Sequence, residues 1–505
     1  MIDFDGGVDA GPDWTIDVVE DGDVVRWAVT NTANAARPLD RVQLRWRVTP
    51  TGPLRMFVNG YQSWSPAAEH LVPGPPDPSR ADGVPALIRA MHHADPAIAA
   101  DGELRSELVS ALTDDSGTVV IGFEGGDRHD GTLRLTGDTL VAEAYMGGAV
   151  IAPGERRDLH AVRVTVGGDL AAWALWAGRS ANARTGAPYQ VGWCSWYHYF
   201  DAITEAALRD NLARAADWPF DVFQLDDGYQ AAIGDWLDRA EAFPTPLDRL
   251  AADIGDAGYT PGLWLAPFLA APHSSIAAAH PDWFLRRPSG RPAVGSFNPA
   301  WGGAVWALDT TRPDVLTHLE HLAAELVAMG WRYLKLDFTY APALDGEWHN
   351  PTLTPAQRVR LAYDAVRRGA GDDAFLLGCG APLGPCIGVV DGMRIGPDVA
   401  PHWEPRATFP GYDGTAPSTS NALRNTIARD FMHRRLWLND PDCLMLRATE
   451  TELSIEQIRA WADAVGASGG MALVSDDLAL LDTDARRLLD DVVAVGREAD
   501  SRRVL

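Results

Sequence analysis

Acidic residues at the ends of short apolar runs are the part of this sequence best suited to do chemistry. Asp337 lies near the end of YLKLDF (333–338), and Asp398 ends GMRIGPD (392–398). Cleavage of a bond between two sugars needs a pair of carboxyl groups that flank the bond. We therefore expect Asp337 and Asp398 to be the catalytic residues. Arg394, four residues before Asp398, is expected to hold either the substrate or Asp398.

Lys335 is the only lysine in a chain with 43 lysine and arginine residues. It lies two positions before Asp337, so both side chains leave a β-strand on the same face. An ammonium group beside a carboxylate favours its ionised form, which a nucleophile requires. Lys335 therefore supports Asp337 as the nucleophile. The alternative is a structural salt bridge inside the fold.

Asp226 and Asp227 form a second acidic site, at the end of DVFQLDD (221–227). Adjacent residues of a strand point to opposite faces, so this pair cannot easily flank one bond. Where the chain bends after the strand, both carboxylates can accept hydrogen bonds from neighbouring hydroxyl groups. We expect the pair to bind substrate, with capping of a loop as the alternative.

Aromatic residues, including Trp193, Trp196 and Trp264, lie among these carboxylates. Carboxylates accept hydrogen bonds from hydroxyl groups, and indole rings cover the C–H faces of a sugar. A divalent metal site is the alternative use of clustered carboxylates. No H-x-H or H-E-x-x-H pattern supports a catalytic metal. The pattern favours a neutral oligosaccharide substrate, with no metal and no cofactor.

Composition excludes several other classes of protein. The net charge of −26 argues against nucleic acid or an anionic membrane as partner. No apolar run approaches the roughly 20 residues that span a bilayer. The acidic N-terminus, MIDFDGGVDAGPDW, lacks the layout of a secretory signal, so we expect a cytoplasmic protein. The four cysteines form no CxxC pair, so neither a zinc site nor a disulfide framework is indicated.

The catalytic candidates need a scaffold, and residues 181–505 alternate strand and helix patterns. Apolar runs predict eight buried strands, at 191–196, 221–227, 261–268, 333–338, 374–380, 392–398, 436–442 and 471–477. Helix starts are indicated by Thr245-Pro246 and by the capping boxes Thr354/Gln357 and Ser454/Gln457, and Gly330 indicates a helix end. This pattern predicts a (β/α)₈ TIM barrel catalytic domain. A doubly wound sheet is the alternative, but no G-x-G-x-x-G follows the first strand.

Residues 1–180 lack helical periodicity and contain β-rich runs at 23–30, 42–50 and 159–167. Turn residues separate these runs. We predict an N-terminal antiparallel β-sandwich domain.

Several motifs together resemble glycoside hydrolase family 36, the bacterial α-galactosidases. They occur in order from about residue 55 to residue 480 and are NGYQSWS (59–65), GWCSWYHYF (192–200), QLDDGYQ (224–230), IGDW (233–236), YLKLDF (333–338), GCG (378–380) and DGMRIGPD (391–398). The resemblance implies a retaining enzyme with Asp337 as nucleophile and Asp398 as acid/base. Retaining enzymes place these carboxyl groups about 5–6 Å apart.

The resemblance also implies a set of substrate-binding residues, namely Trp64, Asp226, Asp227, Trp264, Lys335, Cys379 and Arg394, with Trp193 as a further wall. Four of these residues could instead have a purely structural role. Cys379 would be a buried core thiol, Trp193 and Trp264 would pack the barrel, and Trp64 would pack the sandwich.

The family usually carries a C-terminal β-domain, and we expect that domain to be absent because few residues follow the eighth predicted strand. Alternative activities are an α-N-acetylgalactosaminidase, an α-galactosyl transferase like raffinose synthase, and a sugar-binding protein without catalysis. The natural substrate and the oligomeric state, including a homo-oligomer, stay open.

Overall fold

The computed structural model describes residues 2–74, 78–81, 83–98, 100, 102–406 and 411–504. In chain order, the strands before residue 170 are β1 (Ile2–Asp9), β2 (Trp14–Asp21), β3 (Val24–Asn31), β4 (Arg37–Val48), β5 (Arg55–Val58), β6 (Ala68–Leu71), β7 (Leu104–Glu107), β8 (Val109–Asp114), β9 (Gly117–Phe123), β10 (Asp130–Thr136), β11 (Thr139–Ile151), β12 (Arg156–Asp158) and β13 (Val162–Val166). Five of these strands form one antiparallel sheet in the order β1-β4-β11-β10-β7. The others form a second antiparallel sheet in the order β12-β3-β13-β9-β8-β5-β6, with β2 beside β3.

The two sheets pack as a sandwich because their strands alternate between buried and exposed residues. In β4, Val42, Leu44 and Trp46 are buried and alternate with more exposed residues. They share one core with Trp27 and Ile121 of the other sheet. A period of two fixes one face of a strand toward the core. The predicted N-terminal β-sandwich is confirmed.

From residue 191 the strands are β14 (Val191–Cys194), β15 (Val222–Leu225), β16 (Thr260–Leu265), β17 (Leu269–Ala270), β18 (Val294–Asn298), β19 (Gly303–Ala307), β20 (Tyr333–Leu336), β21 (Phe375–Gly378), β22 (Gly392–Arg394), β23 (Leu438–Asp440) and β24 (Ala472–Val474). Eight of them form one parallel sheet in the order β23-β22-β21-β20-β16-β15-β14-β24. Met471 donates from its backbone to Asn439, and Leu444 to Leu473, which closes β24 onto β23. The predicted (β/α)₈ barrel is confirmed. Strands β17 to β19 form a separate small sheet after the third barrel strand.

The helices are α1 (Ala86–His92), α2 (Leu170–Ser180), α3 (Trp196–Tyr199), α4 (Glu205–Arg214), α5 (Leu247–Asp256), α6 (Ser275–Ala279), α7 (Pro313–Ala328), α8 (Pro355–Ala370), α9 (Leu383–Cys386), α10 (Thr419–Ala428), α11 (Ile455–Ser468) and α12 (Thr483–Ser501). The predicted capping boxes begin α8 and α11. Gly330 has φ 109° just after α7, as expected of a helix end.

The predicted start of α5 is wrong by one residue. Pro246, not Thr245, is the N-cap of α5. The hydroxyl of Thr245 donates instead to Glu205, at the start of α4. A tertiary hydrogen bond therefore engages the side chain of Thr245, which the local pattern assigned to helix capping.

A buried hydrogen-bond cluster joins the two domains, and we call it the interdomain cluster. It consists of Asn425 in α10 and Arg429 just after it, together with residues 59–67 of the N-terminal domain. Arg429 donates to the side chain of Asn59, to the backbone carbonyls of Gly60, Gln62 and Ser63, and to the carbonyl of Ile395. Asn425 donates to the carbonyls of Ser65 and Ile395 and accepts from the amide of Ala67.

The interdomain cluster fixes a loop of the sandwich against the barrel. Arg429 is fully buried, and all five of its N–H groups have acceptors. Ile395 lies between Arg394 and Asp398. The cluster therefore ties the loop that carries Trp64 to the strand end that carries Asp398.

Candidate active site

A cavity of about 570 Å³ lies at the carboxyl ends of the barrel strands. Seven predicted site residues line it, namely Trp64, Asp226, Asp227, Trp264, Lys335, Asp337 and Asp398. Active sites of TIM barrels lie at this face. The structure therefore brings together residues that the sequence spreads from position 64 to position 398.

Asp337 lies at the bottom of the cavity, just after β20, and is 8% exposed. The indole N–H of Trp264 donates to its Oδ2 at 3.1 Å, and the backbone N–H of Phe338 donates to its Oδ1 at 2.8 Å. Phe338 has a φ of 54°, so the chain turns sharply directly after Asp337. Burial raises the pKa of Asp337, and the charge of Lys335 opposes that rise.

Lys335 forms an ion pair with Asp226, not with Asp337, at 2.9 Å between Nζ and Oδ2. The sequence pattern predicts that it lies directly beside Asp337. The reason for the difference is that Lys335 and Asp337 lie well apart along the same strand. Asp226, at the end of β15, is next but one in the sheet and comes within reach of Lys335 inside the barrel. Lys335 still stabilises the ionised form of Asp337 through its charge. Burial disfavours its ammonium, but the nearby carboxylates raise the pKa of Lys335.

Asp226 and Asp227 have different partners. Asp226 accepts from Lys335 and, at 2.6 Å, from the amide of Gln224. Asp227 accepts from Trp301 Nε1 at 2.7 Å and from Gln230 Nε2 at 2.6 Å. Burial, together with the charge of Asp226, raises the pKa of Asp227 to about 6. Both side chains line the cavity, where they can accept from hydroxyl groups of a ligand.

Asp398 is the more accessible catalytic candidate, with a side chain 34% exposed. Arg394 Nη2 donates to its Oδ1 at 2.8 Å. Arg394 itself is fully buried and also donates to Tyr197 and Asp442. In this structure Arg394 lies outside the cavity lining and holds Asp398 in place.

Trp193 does not line the cavity, so the structure does not bring it together with the predicted substrate-binding residues that do. It is fully buried, stacks on Phe223 at 4.3 Å and donates to the carbonyl of Asp476. Cys194, the next residue, hydrogen-bonds Asp226, so it faces the barrel interior. Strand alternation therefore turns Trp193 outward, toward the helices.

Cys379 is also fully buried and lies outside the cavity lining. Its Sγ lies 3.9 Å from Arg394 Nη1. Burial, with the charge of Asp337, raises the pKa of the Cys379 thiol. Cys379 is therefore a neutral thiol whose surroundings include Asp337.

Several lining residues that come from loops and short helices are not predicted by the sequence pattern. Trp301 donates to Asp227, and its ring meets that of Phe338 edge-on at 4.8 Å. Phe338 in turn meets Trp64 at 5.0 Å. His92 and Tyr412 also line the cavity. Loops have no period, so the available signal was the aromatic residue type alone.

No helix in the described ranges is long and apolar enough to cross a membrane. Across the same ranges, His, Cys, Asp and Glu side chains nowhere gather in threes with the geometry of metal ligands.

Comparisons with known proteins point to one family. The family model Melibiase matches residues 190–350. The α-galactosidase AgaA of Geobacillus stearothermophilus is 32% identical over 148 residues, which are 28% of this chain and 19% of that protein. A Flavonifractor plautii protein, named A type blood α-D-galactosamine galactosaminidase, is 31% identical over 212 residues, 38% of this chain and 19% of that protein. The matched segments thus span about a fifth of these curated relatives.

Solved structures match nearly the whole chain. The α-galactosidase TtGalA from Thermus thermophilus, in complex with p-nitrophenyl α-D-galactopyranoside, is 30% identical with a TM-score of 0.74, over 94% of this chain and 95% of that one. In complex with stachyose, the same enzyme matches at 29% identity and a TM-score of 0.74, over 95% of this chain and 99% of that one. The GH36 α-galactosidase AgaA from Geobacillus stearothermophilus is 14% identical with a TM-score of 0.63, over 96% of this chain and 68% of that one. At this identity the match supports the fold alone.

Proposed function

Because the chain belongs to the glycoside hydrolase family 36 α-galactosidases, we propose that it is a retaining α-galactosidase that removes terminal α-galactosyl units from oligosaccharides. The observation that carries the proposal is that Asp337 and Asp398, from different barrel strands, line one cavity with opposite environments. Asp337 is enclosed by an indole N–H, a backbone N–H and a nearby ammonium. Asp398 is accessible and held by one arginine.

In the proposed first step, ionised Asp337 attacks the anomeric carbon while Asp398 donates its proton to the glycosidic oxygen. The leaving alcohol departs, and a galactosyl–Asp337 ester remains. In the second step Asp398, now ionised, takes a proton from water, and that water releases galactose with its original configuration. We expect about 5–6 Å between the two carboxyl groups.

The other polar groups of the cavity have roles in this cycle. Asp226, Asp227 and Lys335 bind hydroxyl groups of the galactosyl unit, and Trp264 and Trp64 cover its apolar faces. Lys335 and Trp264 also hold Asp337 in its ionised form, against the effect of burial. Arg394 acts from outside the lining by positioning Asp398, and Cys379 lies there as a neutral thiol whose surroundings include Asp337.

The proposal is tested by hydrolysis of p-nitrophenyl α-galactoside, with proton NMR of the first sugar released. We expect α-galactose first, with the β-anomer appearing only by mutarotation. First release of β-galactose would overturn the retaining mechanism and leave the α-galactosidase assignment in place. No release of galactose at all would overturn the proposed activity.

A second candidate activity is cleavage of α-linked galactosamine units, which the similarity to the Flavonifractor plautii protein supports. Aryl α-galactoside, α-galactosaminide, α-N-acetylgalactosaminide and α-glucoside should be compared in parallel. The ammonium of Lys335 already pairs with Asp226 and would repel the cationic amine of a galactosaminide, so we expect the α-galactoside to have the highest kcat/KM. A transferase like raffinose synthase would instead form trisaccharide when sucrose is supplied as acceptor.

A further inference from the structure

His92 is a buried polar residue that the proposed mechanism does not use. It is the last residue of α1, in the N-terminal domain, and it is 1% exposed. It nevertheless lines the cavity, together with Leu87 and Met91 of the same helix. A histidine in such a place needs partners for both ring nitrogens.

Two polar groups lie beside Nδ1 of His92, the hydroxyl of Ser65 at 3.3 Å and the side chain of Gln62; Gln62 determines the tautomer, because the Ser65 hydroxyl can either donate or accept. Gln62 Oε1 accepts from the backbone N–H of Trp64 at 2.9 Å, so the other end of the Gln62 side chain is its amino group. That amino group, Nε2, lies 3.2 Å from Nδ1 and can only donate. Nδ1 is therefore the acceptor, and the proton of the neutral ring lies on Nε2. Burial lowers the pKa of His92 to about 3, so the ring is neutral at neutral pH.

The Nε2–H group of His92 has no hydrogen-bond partner among the described residues. A buried donor without an acceptor costs free energy, and an incoming hydroxyl group that accepts from it recovers that cost. The loop that orients His92 also carries Trp64, and Arg429 holds this loop against the barrel. His92 is thus a pre-organised donor just beneath the cavity surface, and a hydroxyl group reaches its Nε2 once a neighbouring side chain of the wall moves aside.

The position of His92 indicates which sugar unit it would meet. Its ring lies 6.5 Å from that of Tyr412. Tyr412 and Asp398 both line the cavity, and the segment that follows Tyr412 leads to Ser418, whose amide donates to the carbonyl of Asp398 at 2.9 Å. In the proposed mechanism Asp398 protonates the leaving oxygen, so this side of the cavity holds the leaving group.

We propose that His92 is a substrate-binding residue whose Nε2–H donates to a hydroxyl group of the sugar unit next to the terminal galactosyl unit. The ligand class is a neutral hexose in the leaving-group position. This inference rests on the proposed α-galactosidase activity. It makes the N-terminal domain a source of selectivity for oligosaccharides over simple aryl galactosides.

The test compares two substrates that share the galactosyl unit, melibiose and p-nitrophenyl α-galactoside, in two variants. His92→Asn keeps a side-chain acceptor near Nδ1 for Gln62 but removes the outer donor. His92→Gln places an N–H donor near the position of Nε2. For His92→Asn we expect kcat/KM on melibiose to fall about 3- to 10-fold, mainly through KM, and to change less than about 2-fold on the aryl substrate. His92→Gln should recover most of the loss.

The control is His93→Asn. His93 is a buried neighbour that does not line the cavity, and its ratio of melibiose to aryl activity should match the parent's. An equal fall on both substrates for His92→Asn, or no fall on either, would overturn the inference. If His92→Asn fails to give a parent-like melting curve, monodeoxy melibioses on the parent protein replace it. Removal of one hydroxyl group of the glucose unit must then lower kcat/KM about 3-fold or more. A series of deoxy substrates with equal kcat/KM values overturns the inference. A parent that cleaves neither galactoside would instead refute the proposed function.

Discussion

The floor and the wall of the cavity are built in opposite ways. The floor consists of Asp226, Lys335 and Asp337, which end barrel strands and bind one another or their neighbours through charged hydrogen bonds. The wall consists of Trp64 and His92, which come from a loop and a short helix of the sandwich and make ring contacts and uncharged hydrogen bonds. The floor is suited to chemistry and the wall to selection, so changes in the two should have different kinetic effects.

The largest effect is expected from Asp337→Ala, which removes the proposed nucleophile from the floor. We expect kcat on p-nitrophenyl α-galactoside to fall by at least about 10³-fold, because no other carboxylate of the floor is placed to replace it. A parent-like melting curve controls for folding. Retention of a tenth of the parent rate would contradict the assignment.

Lys335→Met should have the second largest effect. It leaves Asp226 buried without its cation and removes the charge that opposes the raised pKa of Asp337. We expect about a 10²-fold loss of kcat/KM and an activity profile whose acidic limb moves to higher pH. Lys335→Arg is the matched variant, and it should recover little because a planar guanidinium differs in shape from an ammonium. An unchanged acidic limb would show that Lys335 does not act on Asp337.

Arg429→Gln tests the wall without touching the floor. The change leaves several buried carbonyls without donors, each at a cost of about 1–3 kcal/mol, so the melting temperature should fall by several degrees. KM should rise several-fold while kcat falls less, because Trp64 is displaced and Asp337 is not. Arg435→Gln is the control, since Arg435 donates to carbonyls of its own segment. A fall in kcat alone would contradict this division of roles.

The smallest effect concerns stability and Asp227, which lines the cavity next to the floor residue Asp226. Because the folded-state pKa of Asp227 is raised to about 6, the folded protein binds more protons than the unfolded chain between roughly pH 4 and pH 6. The ionised form therefore destabilises the fold, fully so above about pH 6. Asp227→Asn removes this titration. The difference in melting temperature, variant minus parent, should increase from pH 4.5 to pH 7.5. A difference that does not change with pH would contradict this prediction.

The sequence predicted the floor better than the wall, for a physical reason. Buried parallel strands are continuous apolar runs, so the barrel and the carboxylates at its strand ends could be found from pattern alone. The same alternation could have placed Trp193 on the outward face, since Cys194 is the inward residue. The partner of Lys335 could not be found, because spacing along one strand does not reveal which residue faces it across the barrel. His92 and Trp301 lie outside the barrel strands, where position depends on tertiary contacts.

The interdomain cluster also has a consequence for how the chain acquires its activity. The hydrogen bonds between residues 59–67 and the side chains of Arg429 and Asn425 join positions 358 to 370 residues apart. Such long loops close late, and large chains fold domain by domain. A nascent chain can therefore complete its sandwich while the barrel is still being synthesised, but it cannot complete the cavity. In a refolding experiment, recovery of activity should follow the slowest phase and lag behind the return of secondary structure.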